Sequence, residues 1–68
     1  MQYTDFRRNI EAEFGDMRGP FMLNSHVLRE YGKTPNELIE QGEPLRDIWW
    51  AICDDFEIPE LRRLGPDD

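Results

Sequence analysis

Residues 44–56 read Pro44-Leu45-Arg46-Asp47-Ile48-Trp49-Trp50-Ala51-Ile52-Cys53-Asp54-Asp55-Phe56. Leu45, Ile48, Trp49, Ile52 and Phe56 fall at i, i+3, i+4, i+7 and i+11, a stripe along one side of a 3.6-residue helix. The spacing predicts an amphipathic helix over 44–57 that organises the rest of the chain. Pro44 suits the first turn, where no amide proton is needed. Ile58-Pro59 ends the helix, because the residue before a proline is pushed out of helical geometry.

Just upstream, Thr34-Pro35-Asn36-Glu37 carries a cap threonine, a first-turn proline and a glutamate placed to accept the cap residue's amide proton. It starts a short helix through Leu38 and Ile39 that stops near Gly42. Further back, Gly19-Pro20 opens a predicted helix over 19–31, with Phe21, Leu23, Val27, Leu28 and Tyr31 at roughly helical intervals. Thr4 caps a first helix over 4–14, with Phe6, Ile10 and Phe14 before Gly15. Leu61 and Leu64 are expected to fold back onto the core, and 65–68 to form a loose acidic tail. No alternating run of strand length occurs. The expected fold is all-α: one small compact domain over 1–64, four short helices, the last two paired like a helix-turn-helix. Its expected core is Phe6, Ile10, Phe14, Val27, Leu28, Leu38, Ile48, Trp49, Ile52 and Phe56.

The 68 residues leave room for one core. Four Phe, two Trp, two Tyr and three Met are enough to build it without disulfides or metal. Cys53 is the only cysteine, so no internal disulfide forms, and the composition reads as cytoplasmic with a reduced thiol. The chain has no apolar run of membrane-spanning length and does not begin like a signal peptide. Its net charge of −7 is concentrated. Residues 1–36 hold five acids and five bases, whereas 37–60 hold eight acids against Arg46 alone. Such a field repels phosphate backbones and anionic membranes and favours a basic protein partner.

Catalytic chemistry finds little footing. His26 and Cys53, each the only residue of its kind, would make a thiolate and imidazolium pair. Cys53, however, lies about 40° from Trp49 on the wheel, at the edge of the core stripe, where a thiol acts as a small apolar group. His26 is expected to hydrogen-bond a neighbouring helix end. One histidine and one cysteine match no zinc pattern, and no glycine-rich phosphate loop is present. Asp54, Asp55 and Glu57 point away from the stripe and are expected to be solvated. These residues point away from an enzyme, and no cofactor is expected.

Trp50 lies about 100° around the helix from Trp49, beside Arg46, Asp54 and Glu57. A tryptophan among charges has the composition of an interface anchor, although packing on the tail would explain it as well. The candidate partner-binding residues are therefore Trp50, Arg46, Asp47, Asp54 and Glu57. The leading expectation is a non-catalytic interaction module whose acidic face docks another protein. The alternative is a helix-turn-helix-like accessory of DNA metabolism that binds nucleic acid weakly or through a partner, using Arg7, Arg8, Arg18, Arg29 and Lys33. Direct high-affinity nucleic-acid binding is not expected, and the oligomeric state is left open.

Phe6, Phe14-Gly15, His26-Val27-Leu28, Thr34 with Glu37-Leu38, Gly42, Pro44 to Trp49, Cys53, Phe56 and Ile58-Pro59 together resemble a family of small actinobacterial proteins of unknown function. The likeness runs from about Met1 to Arg63. It implies a short, helical, intracellular protein with no established activity or catalytic residue, whose genes often neighbour those of a recombinase and its regulator. Two positions depart from the family's pattern. Ser25 stands where the family has an acid before the histidine, which breaks a carboxylate and histidine pair, and Trp50 stands where the family tends to have arginine.

Overall fold

The computed structural model describes residues 1–64, so the expected 65–68 tail lies outside the described residues. Four helices follow in order: α1 (Tyr3–Ser25), α2 (Pro35–Gln41), α3 (Leu45–Asp55) and α4 (Glu60–Arg63). The first three pack on one another around Phe6, Ile10, Leu23, Leu28, Leu38, Ile48, Trp49 and Ile52.

The amino-terminal half of the chain departs from the sequence expectation. The two expected helices are one run, Tyr3–Ser25, broken by Gly15 at φ 89° and ψ 172°. Its first turn is closed by the Gln2 amide, which donates to the Asp5 carboxylate at 3.1 Å, and not by Thr4. Only glycine reaches such a backbone geometry without a Cβ clash, and the elbow it makes brings Gly19 against Ile10. In a straight helix those two residues would stand about 13 Å apart along the axis. A Cβ on Gly19 would instead lie 2.8 Å from Ile10 Cγ2. Pro20, expected to start a helix, lies inside the run, one turn beyond the elbow.

The contact yields a prediction. Ile10 is fully buried and β-branched, so its methyl has no free direction in which to retreat. Gly19→Ala should therefore destabilise the fold by roughly 1–3 kcal/mol despite alanine's better helix propensity. A urea melt of Gly19→Ala at or above wild-type stability would refute the close packing.

The run ends at Ser25, six residues short of the expected end. Leu23 and Leu28 are five apart, about 140° around a helix, so both cannot face one core while the helix continues. The chain turns instead: Leu28 N–H donates to the Lys33 carbonyl at 2.9 Å and Gly32 N–H to the Leu28 carbonyl at 2.8 Å. Leu28 enters the core, and Val27, expected there, is 56% exposed.

α2 forms as its cap sequence dictates. Thr34 Oγ1 accepts from the Glu37 amide at 3.3 Å, and the Thr34 amide donates to Glu37 Oε1 at 2.9 Å. Gly42, at φ 86°, ends the helix in the left-handed region. α3 buries Ile48, Trp49, Ala51, Ile52 and Cys53. Phe56, expected in the core, caps α3 and is partly exposed, its ring set edge-on to Phe14 at 4.9 Å between centroids. Leu61 and Leu64 do not fold back either, at 86% and 81% exposed, and α4 buries no side chain.

Candidate functional site

Four of the five candidate residues meet. Arg46, Asp47, Trp50 and Asp54 on α3 line a cleft of about 510 Å³, completed by Ala51 and by Glu30 and Tyr31 from the turn after α1. They lie on α3 at offsets of 1, 4 and 8 residues from Arg46, the spacing of a single helical face. Glu57 is not part of this wall; at φ 55° it turns the chain behind α3. Glu30 and Tyr31 escape a helical reading of 19–31, since they reach the cleft only because the helix stops at Ser25.

The cleft is electrostatically acidic. Burial holds the Tyr31 phenol above its ordinary pKa, and the fields of Glu30, Asp47 and Glu43 push it the same way. A cation from α4 meets the Trp50 ring: the Arg63 guanidinium lies 5.0 Å from its centroid and donates to Asp54 Oδ1 at 2.7 Å. Trp50 keeps 40% of its surface exposed, whereas Trp49 keeps 1%. The Trp49 indole N–H is satisfied by the Arg63 carbonyl at 2.8 Å.

A second surface lies around His26. Phe14, Arg18, Phe21, Met22, Ser25, His26 and Phe56 line a largely apolar groove of about 490 Å³. His26 does bond a helix end: its Nε2 is 2.8 Å from Oδ2 of Asp55, the last residue of α3. The carboxylate that meets His26 thus comes from 29 residues downstream. Asp55 is not solvated as expected; its side chain is 10% exposed. Burial alone would raise its pKa, but the His26 hydrogen bond, the Arg29 amide at 3.1 Å and the nearby charges outweigh it and hold the carboxyl below its ordinary value. Ser25 Oγ is engaged elsewhere, donating to the Phe21 carbonyl at 2.7 Å.

Cys53 is fully buried, and burial pushes its thiol up to about 11, against a smaller opposing pull from Arg63. The folded thiol is therefore the neutral form at physiological pH. Its labelling by a maleimide at pH 8 should run about 100-fold or more slower than in the unfolded chain, because it requires an opening of the fold. The linkage has one sign. A thiol whose folded pKa is raised contributes its full stability below the unfolded value of about 8.5, and that contribution is lost as pH climbs toward 11. Labelling at the unfolded rate, or a melting temperature unchanged between pH 8 and pH 10.5, would contradict this environment.

Among the described residues no group of three or more His, Cys, Asp or Glu side chains is placed to hold a metal ion, and no helix is long and apolar enough to cross a membrane. Fold and cleft together define a small, mostly helical protein with an acidic, tryptophan-bearing face. Over residues 1–61 the chain matches the family described as "Protein of unknown function (DUF3046)", and it belongs to that family. No curated protein and no solved structure matches it.

Proposed function

We propose that this protein is a non-catalytic, cytoplasmic interaction module that docks a basic segment of another protein in the acidic cleft around Trp50. The observation that carries the reading is the gathering of Glu30, Asp47 and Asp54 around a half-exposed indole. Tryptophan is the residue most enriched at interface hot spots, and its ring attracts cations. The acids add long-range attraction, which hastens encounter and selects a positively charged partner. The pair formed by α2 and α3 about Gly42 is the helix-turn-helix-like scaffold that presents this face. Asp47 and Asp54 on α3 repel phosphate, so the pair serves protein docking and not base readout.

The test is titration of a fluorescent, arginine- and lysine-containing peptide, with duplex DNA as the comparison. Binding is expected for the peptide, weakening as salt rises, and DNA is expected to stay in the non-specific range of roughly 10⁻⁴ to 10⁻⁶ M. Trp50→Ala leaves every charge in place and should still abolish most of the peptide affinity. Undiminished binding by Trp50→Ala, or sequence-dependent DNA binding lost in Arg46→Ala, would overturn the proposal.

A further inference from the structure

α4, the last helix of the described residues, is held by polar contacts. It has four residues and no buried side chain, and Leu61 within it and Leu64 just after it both face solvent. Its attachment among the described residues is polar and runs through two adjacent arginines. Arg62 forks onto Glu13 of α1, Nε to Oε2 at 3.0 Å and NH2 to Oε1 at 3.2 Å. Arg63 donates from NH1 to Asp54 Oδ1 at 2.7 Å and from Nε to the Ile58 carbonyl at 2.8 Å, with its guanidinium over the Trp50 ring. The Arg63 side chain is 13% exposed and that of Glu13 is 14% exposed, so both seats are partly shielded from water.

We propose that Glu13 and the Trp50–Asp54–Ile58 corner are two guanidinium seats, filled in the free chain by its own Arg62-Arg63, and that a partner segment bearing two adjacent arginines takes them by displacing α4. This deepens the docking reading above and rests on it, since Trp50 and Asp54 belong to both sites. Four arguments fix the occupant. The seats match planar, forked donors, which lysine lacks. The acceptors stand on the long helices α1 and α3 and in the turn after α3, whereas the guanidiniums belong to a helix too short to persist alone. An element that buries no apolar side chain opens at low cost, so a competing segment need displace only the arginine hydrogen bonds, the Arg63 contact on the Trp50 ring and the Trp49 N–H bond to the Arg63 carbonyl. The net charge of −7 draws a cationic competitor toward the seats.

The tethered Arg62-Arg63 competes with any incoming segment at a high effective concentration, so removing it should expose the seats. The probe is a ten-residue peptide with one central Arg-Arg pair among Gly, Ser and Leu, alongside its Lys-Lys twin, titrated against the full chain and against Arg62→Ala/Arg63→Ala. The Arg-Arg peptide is expected to bind the double variant about 10-fold or more tightly than wild type. The Lys-Lys twin should show no such gain, and adding Glu13→Gln and Trp50→Ala should remove it. Should the double variant fail to fold, the Trp49 indole N–H resonance of the wild-type chain gives the answer. It moves under saturating Arg-Arg peptide if α4 is displaced, and its staying put while peptide binds overturns the proposal. Equal affinity for wild type and double variant overturns it too, while Trp50-dependent binding to wild type would leave the docking reading standing. No binding of any basic peptide to either protein sinks both. A wild-type dimer that exchanges α4 and blocks the peptide would give the seats to a second copy and overturn the partner.

Discussion

Trp49→Ala is expected to leave the chain unfolded or molten at 25 °C. The indole is 1% exposed, lies in the same buried cluster as Ile48, Ile52, Cys53 and Phe6, and donates its N–H to the Arg63 carbonyl at 2.8 Å. Truncating a buried tryptophan costs about 3–5 kcal/mol through lost transfer energy and the void left behind. A domain of 68 residues holds roughly 3–10 kcal/mol in total, at 0.05–0.15 kcal/mol per residue. The substitution also leaves the Arg63 carbonyl without its donor, so α4 loses its one backbone tie to α3. Near-UV circular dichroism should flatten and the urea transition lose its cooperativity. Trp49→Phe serves as the control: it keeps most of the ring and removes the N–H, so it should stay folded while α4 loosens. A cooperative Trp49→Ala melt within about 1 kcal/mol of wild type would show that this side chain does not organise the core.

Trp50→Ala is expected to do the reverse, with a large loss of binding and a small loss of stability. The side chain keeps 40% of its surface in solvent, and the Arg63 guanidinium lies 5.0 Å from its ring centroid. A cation over an exposed ring contributes about 0.5–1 kcal/mol, so the fold should survive with a modest fall in melting temperature. Loss of a hot-spot anchor costs about 2 kcal/mol or more of binding energy, a fall of about 30-fold in affinity for a basic peptide. The two tryptophans also report on themselves. Trp49→Phe leaves the half-exposed indole and should emit at longer wavelength than Trp50→Phe, which leaves the buried one. If Trp50→Ala destabilises as much as Trp49→Ala, Trp50 is a core residue and the cleft has no anchor.

The residues near in sequence settle much of this molecule. The cap at Thr34 and Glu37, the stop at Gly42, the stripe along α3 and the divergent directions of Trp49 and Trp50 all follow from interactions within about four residues, which a linear pattern records. For the same reason Arg46, Asp47, Trp50 and Asp54 read as one helical face from their spacing alone. The helix boundaries before Thr34 were not, since Leu23 and Leu28 satisfy one core only if the chain leaves the helix between them. Phe6, Ile10 and Phe14 share their spacing with the α3 stripe, yet the Gly15 elbow decides which residues meet them.

The polar ties were least legible. His26 with Asp55, Arg62 with Glu13 and Arg63 with Asp54 and Trp50 join side chains that carry no period and lie up to 49 positions apart. A surface arginine and a clasping arginine look alike in a sequence; only the approach of α1, α3 and α4 sorts them. The sequence by itself determined the helical class, the cap and turn of α2, the face of α3 and the excess of acid, because each rests on local backbone chemistry or on counting. The tertiary structure alone decided the elbow, the completion of the cleft by Glu30 and Tyr31, and the seating of Arg62 and Arg63, because each depends on distances between elements that no local periodicity encodes.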